Sequence, residues 1–107
     1  MIRVKTIRKN GKVYGFLTEG HAMFDRYGKD VVCAAVSILT INTVNSFESF
    51  LPEEETVVNV DDKKGSIECF FKEEPSEKAK LLLDAYFLGI SGIEKEYGKE
   101  YLKLEDF

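Results

Sequence analysis

The hydrophobic positions change period several times along the chain, and each change marks an element. Ile2, Val4 and Thr6 alternate with Arg3, Lys5 and Ile7, and Tyr14 and Phe16 alternate with Val13 and Leu17. A period of two belongs to a strand with one buried face. Asn10-Gly11 lies between the two runs. Both residues accept the positive φ of a two-residue turn, so the pattern predicts a hairpin. Thr56–Val60 and Ser66–Lys72 are again strand-like, with Ile67, Cys69 and Phe71 on one face and Asp61-Asp62-Lys63-Lys64-Gly65 as the turn between them.

Two longer segments follow a different rule. From Val31 to Phe50 the chain is nearly all apolar or small, without Gly or Pro. Its many β-branched residues would suit a strand. A run of ~20 residues is far longer than the usual strand of 3–10, however, so length decides for a buried helix. Asp30 is placed to cap it, with Cys33 in its first turn, and Pro52 stops it. The second helix opens at Pro75-Ser76 and carries Ala79, Leu82, Leu83, Tyr86, Phe87, Ile90, Ile93 and Tyr97 at i, i+3, i+4 spacing, ending at Gly98. Gly89 and Gly92 each cost ~1 kcal/mol against Ala, so both are expected to serve a close approach of another element. A last short strand is expected over 101–104. Gly20 to Lys29 shows neither period and reads as a loop. The order is β-β-α-β-β-α-(β). It predicts an α+β fold, a two-layer sandwich with a mostly antiparallel sheet and two helices on one face.

Composition narrows the function classes. At 107 residues the chain is expected to be one domain, residues 1–107, and 44% hydrophobic content excludes a disordered one. A net charge of −4 argues against a general nucleic-acid binder. The basic residues Arg3, Lys5, Arg8, Lys9 and Lys12 suit a solvated hairpin edge. No apolar run is expected to reach the ~18 residues of a membrane span, and the N-terminus does not read as a signal peptide. Two cysteines point to free thiols in a reducing cytoplasm.

The candidate chemistry sits at the loop and the helix start. His21 is the single histidine, and Cys33 follows it across a loop that also holds Met23, Phe24, Tyr27 and Gly28. A thiol and an imidazole brought together form the nucleophile and base of acyl transfer. A capped helix start would add unpaired N–H groups that favour a thiolate and hold an oxyanion. Asp30 and Asp25 could orient His21, although a carboxylate near the thiol disfavours its ionisation. Asn42 and Asn45 lie ~13 and ~18 Å beyond Cys33 along the helix axis and are out of reach. Ser37 is one turn from Cys33 on the same face. The competing reading is a cysteine that simply fills the core, which is the ordinary fate of a free thiol. Cys69, on an apolar strand face, is read as core. One His and two distant Cys lack the close spacing of a metal site, so neither a metal nor another cofactor is expected.

The stretch Gly20-His21-Ala22, then Gly28, then Asp30-Val31-Val32-Cys33-Ala34-Ala35-Val36-Ser37 resembles the signature of the ribosomal-processing cysteine proteases, the Prp family. Val44-Asn45 and the ending Glu94-Lys95-Glu96-Tyr97 fit the same pattern. The resemblance implies a cytoplasmic, homodimeric cysteine endopeptidase. Its substrate would be the N-terminal extension of large-subunit ribosomal protein L27, removed after an aromatic residue. It assigns Cys33 as nucleophile and His21 as general base, with Asp30 and Ser37 as supporting residues. Gly20, Met23, Phe24, Tyr27 and Gly28 are then candidates to face the substrate peptide. The alternative is a non-catalytic, ribosome-associated peptide-binding module of the same fold. A redox thiol enzyme is a third reading, with Cys69 as its resolving thiol.

Overall fold

The computed structural model describes residues 1–105 apart from 21–25, with the backbone alone for 26–30. The elements are β1 (Ile2–Lys9), β2 (Lys12–Gly20), α1 (Arg26–Phe50), β3 (Thr56–Asp61), β4 (Ser66–Phe71), α2 (Glu77–Tyr97) and β5 (Leu102–Glu105). They form a five-stranded sheet in the order β3-β4-β2-β1-β5. All neighbours are antiparallel except β5, which runs parallel to β1 with Ile2 opposite Leu102.

The first hairpin is set by its turn. Asn10 and Gly11 both take positive φ, 54° and 80°, and Lys9 faces Lys12 across the pair. A bulge follows: Ile7 faces Gly15 and Arg8 faces Val13, so Tyr14 is the extra residue. At the far end Gly20 has φ 92°, and a Cβ there would lie 2.5 Å from the carbonyl oxygen of Met1. Only glycine fits, so Gly20 fixes how the chain leaves the sheet toward residue 21.

The alternation expected for the strands is present. Ile2, Val4, Phe16, Cys69, Phe71 and Leu102 are buried on one side of the sheet, where both helices pack. On α1 the buried positions are Val32, Val36, Thr40, Thr43 and Phe47, one stripe at i, i+3, i+4. On α2 they are Ala79, Leu83, Tyr86, Phe87 and Ile90. The Phe47 ring meets Phe71 edge-on at 4.7 Å between centroids, and Tyr86 stacks on Phe16 at 4.1 Å. These contacts seat α1 on β4 and α2 on β2. Ser76 caps α2, its Oγ accepting from the Ala79 N–H at 3.2 Å, and Glu54 in turn accepts from the Ser76 N–H at 2.9 Å.

Several expectations are corrected. α1 starts at Arg26, so Asp30 lies inside the helix and does not cap it, and Tyr27 and Gly28 are helical residues and not loop. The charges Arg26, Lys29 and Asp30 and the glycine hide this first turn from any periodicity. Gly92 has nothing near it, while a Cβ on Gly89 would meet Leu39 of α1 at 2.5 Å, so only Gly89 serves a close approach. Finally, Val31–Phe50 is long and apolar enough to cross a bilayer by length and composition. Part of that apolarity forms the buried stripe that faces the sheet, while Val31, Ile38, Ile41 and Phe50 are exposed.

Candidate active site

The helix layer leaves β3 partly open. Val58 and Val60 sit on the helix side of the sheet, opposite Cys69 and Ile67, yet Val60 is 63% exposed. The gap between α1 and the β3–β4 hairpin is a cleft of about 260 Å³. α1 contributes Cys33, Val36, Ser37 and Thr40 to it; the sheet contributes Ile2, Thr18, Gly20, Val60, Ser66 and Ile67; the hairpin tip contributes Asp61, Asp62 and Gly65. The helix residues sit at i, i+3, i+4 and i+7, one face by construction.

Cys33 is a free, half-buried thiol at this cleft, and Ser37 and Gly20 line the same space. His21, Met23 and Phe24 lie outside the described residues, as does Asp25. Asp30 falls three residues before Cys33 on α1, and Tyr27 and Gly28 lie one to two turns before it. The earlier helix start changes one part of the chemistry. Cys33 is the eighth residue of α1, so its N–H is within reach of the Lys29 carbonyl in the regular i→i−4 ladder and is not an orphan of the first turn. An oxyanion donor must therefore be sought elsewhere in the cleft, where Ser37 offers a hydroxyl one turn away.

The second thiol behaves differently. Cys69 is fully buried, and burial, helped by the negative charge of Glu48, pushes its pKa up to about 12. A thiol that stays protonated makes a poor nucleophile and a poor resolving partner, which weighs against the redox reading. At the hairpin tip Asp61 is occupied with its own turn, its Oδ1 accepting from the N–H groups of Lys63 and Lys64 at 3.0 and 3.2 Å.

The sequence reading missed the polar floor of the cleft. Tyr86 lies behind it, 1% exposed, with its hydroxyl 2.8 Å from Thr18 Oγ1 and 3.0 Å from Thr40 Oγ1. Burial raises the Tyr86 pKa, against the opposing effect of the two hydrogen bonds, so it remains a neutral phenol. The available signal was a threonine seven residues after Cys33, on the same helix face, in a stripe that is apolar apart from it and Thr43.

A free thiol on a helix, opening into a cleft beside an exposed sheet edge, is the arrangement of a small α+β thiol hydrolase. The comparisons with known proteins agree. The family described as cysteine protease Prp matches residues 1–103, and the chain belongs to that family. The ribosomal processing cysteine protease Prp of Staphylococcus aureus (strain Mu50 / ATCC 700699) is 31% identical over 94 residues, covering 88% of each chain. Two crystal structures of the S. aureus protease superpose on the fold. One holds a covalently linked product peptide, with TM-score 0.82, 31% identity and 97% of each chain covered. The other holds a substrate peptide, with TM-score 0.84, 29% identity and 98% of each chain covered.

Proposed function

We propose that this protein is a cysteine endopeptidase that removes the N-terminal extension of large-subunit ribosomal protein L27 during ribosome assembly. The observation that carries the reading is the free Cys33 thiol in an open cleft of about 260 Å³, in a fold whose S. aureus relative holds substrate and product peptides. In the proposed reaction His21 takes the proton from Cys33 Sγ, and the thiolate attacks the scissile carbonyl carbon. The C–N bond then breaks as protonated His21 gives its proton to the leaving amine. Water, deprotonated by His21, hydrolyses the thioester and restores the thiol. Ser37 supports the site from one turn along α1, and Asp30 orients or balances the imidazolium. Met23, Phe24, Tyr27 and Gly28 face the substrate, with Gly20 setting the path of the chain into this segment.

Two further assignments belong with this reading. The outer faces of the neighbouring helices expose Ile38 and Ile41 on α1 and Leu81 and Leu88 on α2, with Leu88 75% exposed. An apolar surface of this kind suits pairing with a second copy, so the protein acts as a homodimer. Its two free thiols suit a reducing cytoplasm.

The test is direct. The protein is incubated with a synthetic peptide spanning the start of its own organism's L27, and the products are weighed by mass spectrometry. One cut downstream of an aromatic residue is expected, lost in Cys33→Ala and in His21→Ala. Cleavage that survives Cys33→Ala overturns the mechanism. Tight binding by the unaltered protein without cleavage replaces it with a peptide-binding module.

A further inference from the structure

The two edges of the sheet are built differently. β5 closes one edge with four residues, Lys103 and Glu105 among them, and a short charged edge resists pairing with another chain. β3 closes the other with Thr56-Val57-Val58-Asn59-Val60-Asp61, in unbroken register with β4 and without Pro, Lys or bulge. Its ladder shows which backbone groups are open. The Glu55 carbonyl accepts from the Lys72 N–H at 3.1 Å. Antiparallel pairing alternates, so Val57, Asn59 and Asp61 also bond toward β4. Thr56, Val58 and Val60 turn their N–H and C=O groups outward, where no further strand meets them among the described residues. Such groups are a template for an added strand. Both ends of the template are acidic. Glu53, Glu54 and Glu55 precede it, and Asp61 and Asp62 end it. At the first end Glu53, Glu54, Glu55, Glu73 and Glu74 line an open pocket of about 280 Å³, with Lys72 against them.

We infer that the β3 edge docks an extended segment of another protein, apolar and β-branched along its middle and flanked by Lys or Arg, added to the sheet as a further strand. Main-chain bonds to Thr56, Val58 and Val60 supply the affinity. On the helix side the added side chains lie beside Val58 and Val60, both exposed, which favours apolar residues there. The carboxylates at the two ends draw the flanking cations and repel an acidic segment. The added strand lies ~4.8 Å beyond β3, on the side away from β4. It is therefore outside the cleft that holds Cys33, and the inference does not depend on the peptidase reading.

The probe is a fluorescein-labelled peptide of alternating valine and threonine with two lysines at each end. It is titrated against the full chain by fluorescence anisotropy. Saturable binding is expected, falling as salt is raised. The same peptide with glutamates in place of the lysines is expected to bind at least about tenfold more weakly. Val58→Pro removes one outward donor, and proline is tolerated there because that N–H does not face β4. It is expected to weaken binding by about fivefold or more, with the far-ultraviolet circular dichroism unchanged. Glu53→Gln with Glu55→Gln tests the charge independently of the backbone, and is expected to weaken binding and flatten its salt dependence. Protein alkylated at Cys33 is expected to bind as the unaltered protein does. No binding of the lysine peptide, equal binding of the glutamate peptide, or loss of binding on alkylation overturns the inference. So does unchanged binding by both variants. A protein whose mass in solution, without peptide, is halved by Val58→Pro uses the edge for a second copy, which also overturns it.

Discussion

Gly89 and Gly92 lie three residues apart on α2, and the same substitution at each is expected to have opposite signs. A Cβ on Gly89 would lie 2.5 Å from Leu39 Cδ2 and 3.3 Å from Cδ1, whereas nothing stands within 4 Å of one on Gly92. Carbon atoms at rest sit ~3.5–4.0 Å apart, so Leu39 must retreat by about 1 Å to admit the methyl group. Leu39 is packed against the core, and forcing an extra methyl into such a place costs ~1–3 kcal/mol. Replacing Gly by Ala in a helix returns ~1 kcal/mol at either position. Gly92→Ala is therefore expected to stabilise by up to ~1 kcal/mol, and Gly89→Ala to destabilise by ~0–2 kcal/mol. The difference between them, ~1–3 kcal/mol, is the overpacking alone, since helix propensity cancels. Urea unfolding measures it: with a slope of ~1–3 kcal/mol/M the two midpoints separate by about 1 M. Adding Leu39→Ala removes the obstacle, and in that background Gly89→Ala should stabilise. Equal stabilisation by both single variants would refute the argument. The contact also bears on the cleft, because Leu39 belongs to the helix that brings Cys33, Ser37 and Thr40 to it.

Two further expectations follow from burial and exposure. Burial raises the Cys69 thiol from 9.0 to about 12, so in that pH window the unfolded chain has lost a proton that the folded chain keeps. Stability therefore falls as pH rises above 9, by up to ~1.4 kcal/mol per pH unit, and Cys69→Val should flatten the slope; iodoacetamide should label Cys33 alone in the native protein and both thiols in urea. On the outer helix faces, Ile38→Lys with Leu88→Lys should halve the mass measured by light scattering without changing the far-ultraviolet circular dichroism; an unaltered protein already monomeric would exclude this surface as the pairing site.

Most of the fold was legible because its signals are local. Asn10-Gly11, the period of β1 and β2, the Ser76 cap and the Gly98 stop each act within a few residues. The structure uses each as expected, Gly98 accepting the end of α2 at φ 104°. The parallel seat of β5 beside β1 is a pairing between residues a hundred positions apart, and no short-range pattern encodes it. The first turn of α1 was missed because it carries no apolar stripe. At the site, Cys33 and Ser37 could be placed on one face from helical spacing alone. The hydroxyl chain could not, because Thr18, Thr40 and Tyr86 come from three elements and look, one at a time, like ordinary core positions.

The cleft has two walls of unequal mechanical standing. The Cys33 wall is α1, whose other face is the core, so almost any change in its backbone is felt throughout the molecule. The opposite wall ends in the 61–65 turn, carried by an edge strand that only β4 holds and that the helices leave exposed at Val58 and Val60. Side chains at Asp62, Lys63 and Lys64 can be exchanged at little expense in folding, whereas Asp61 holds the turn through its carboxylate and Gly65 takes a positive φ of 62°. The Cys33 wall is thus inherited with the fold, while the facing wall is free to drift, and in the proposed peptidase it would do so with the sequence of the peptide it admits.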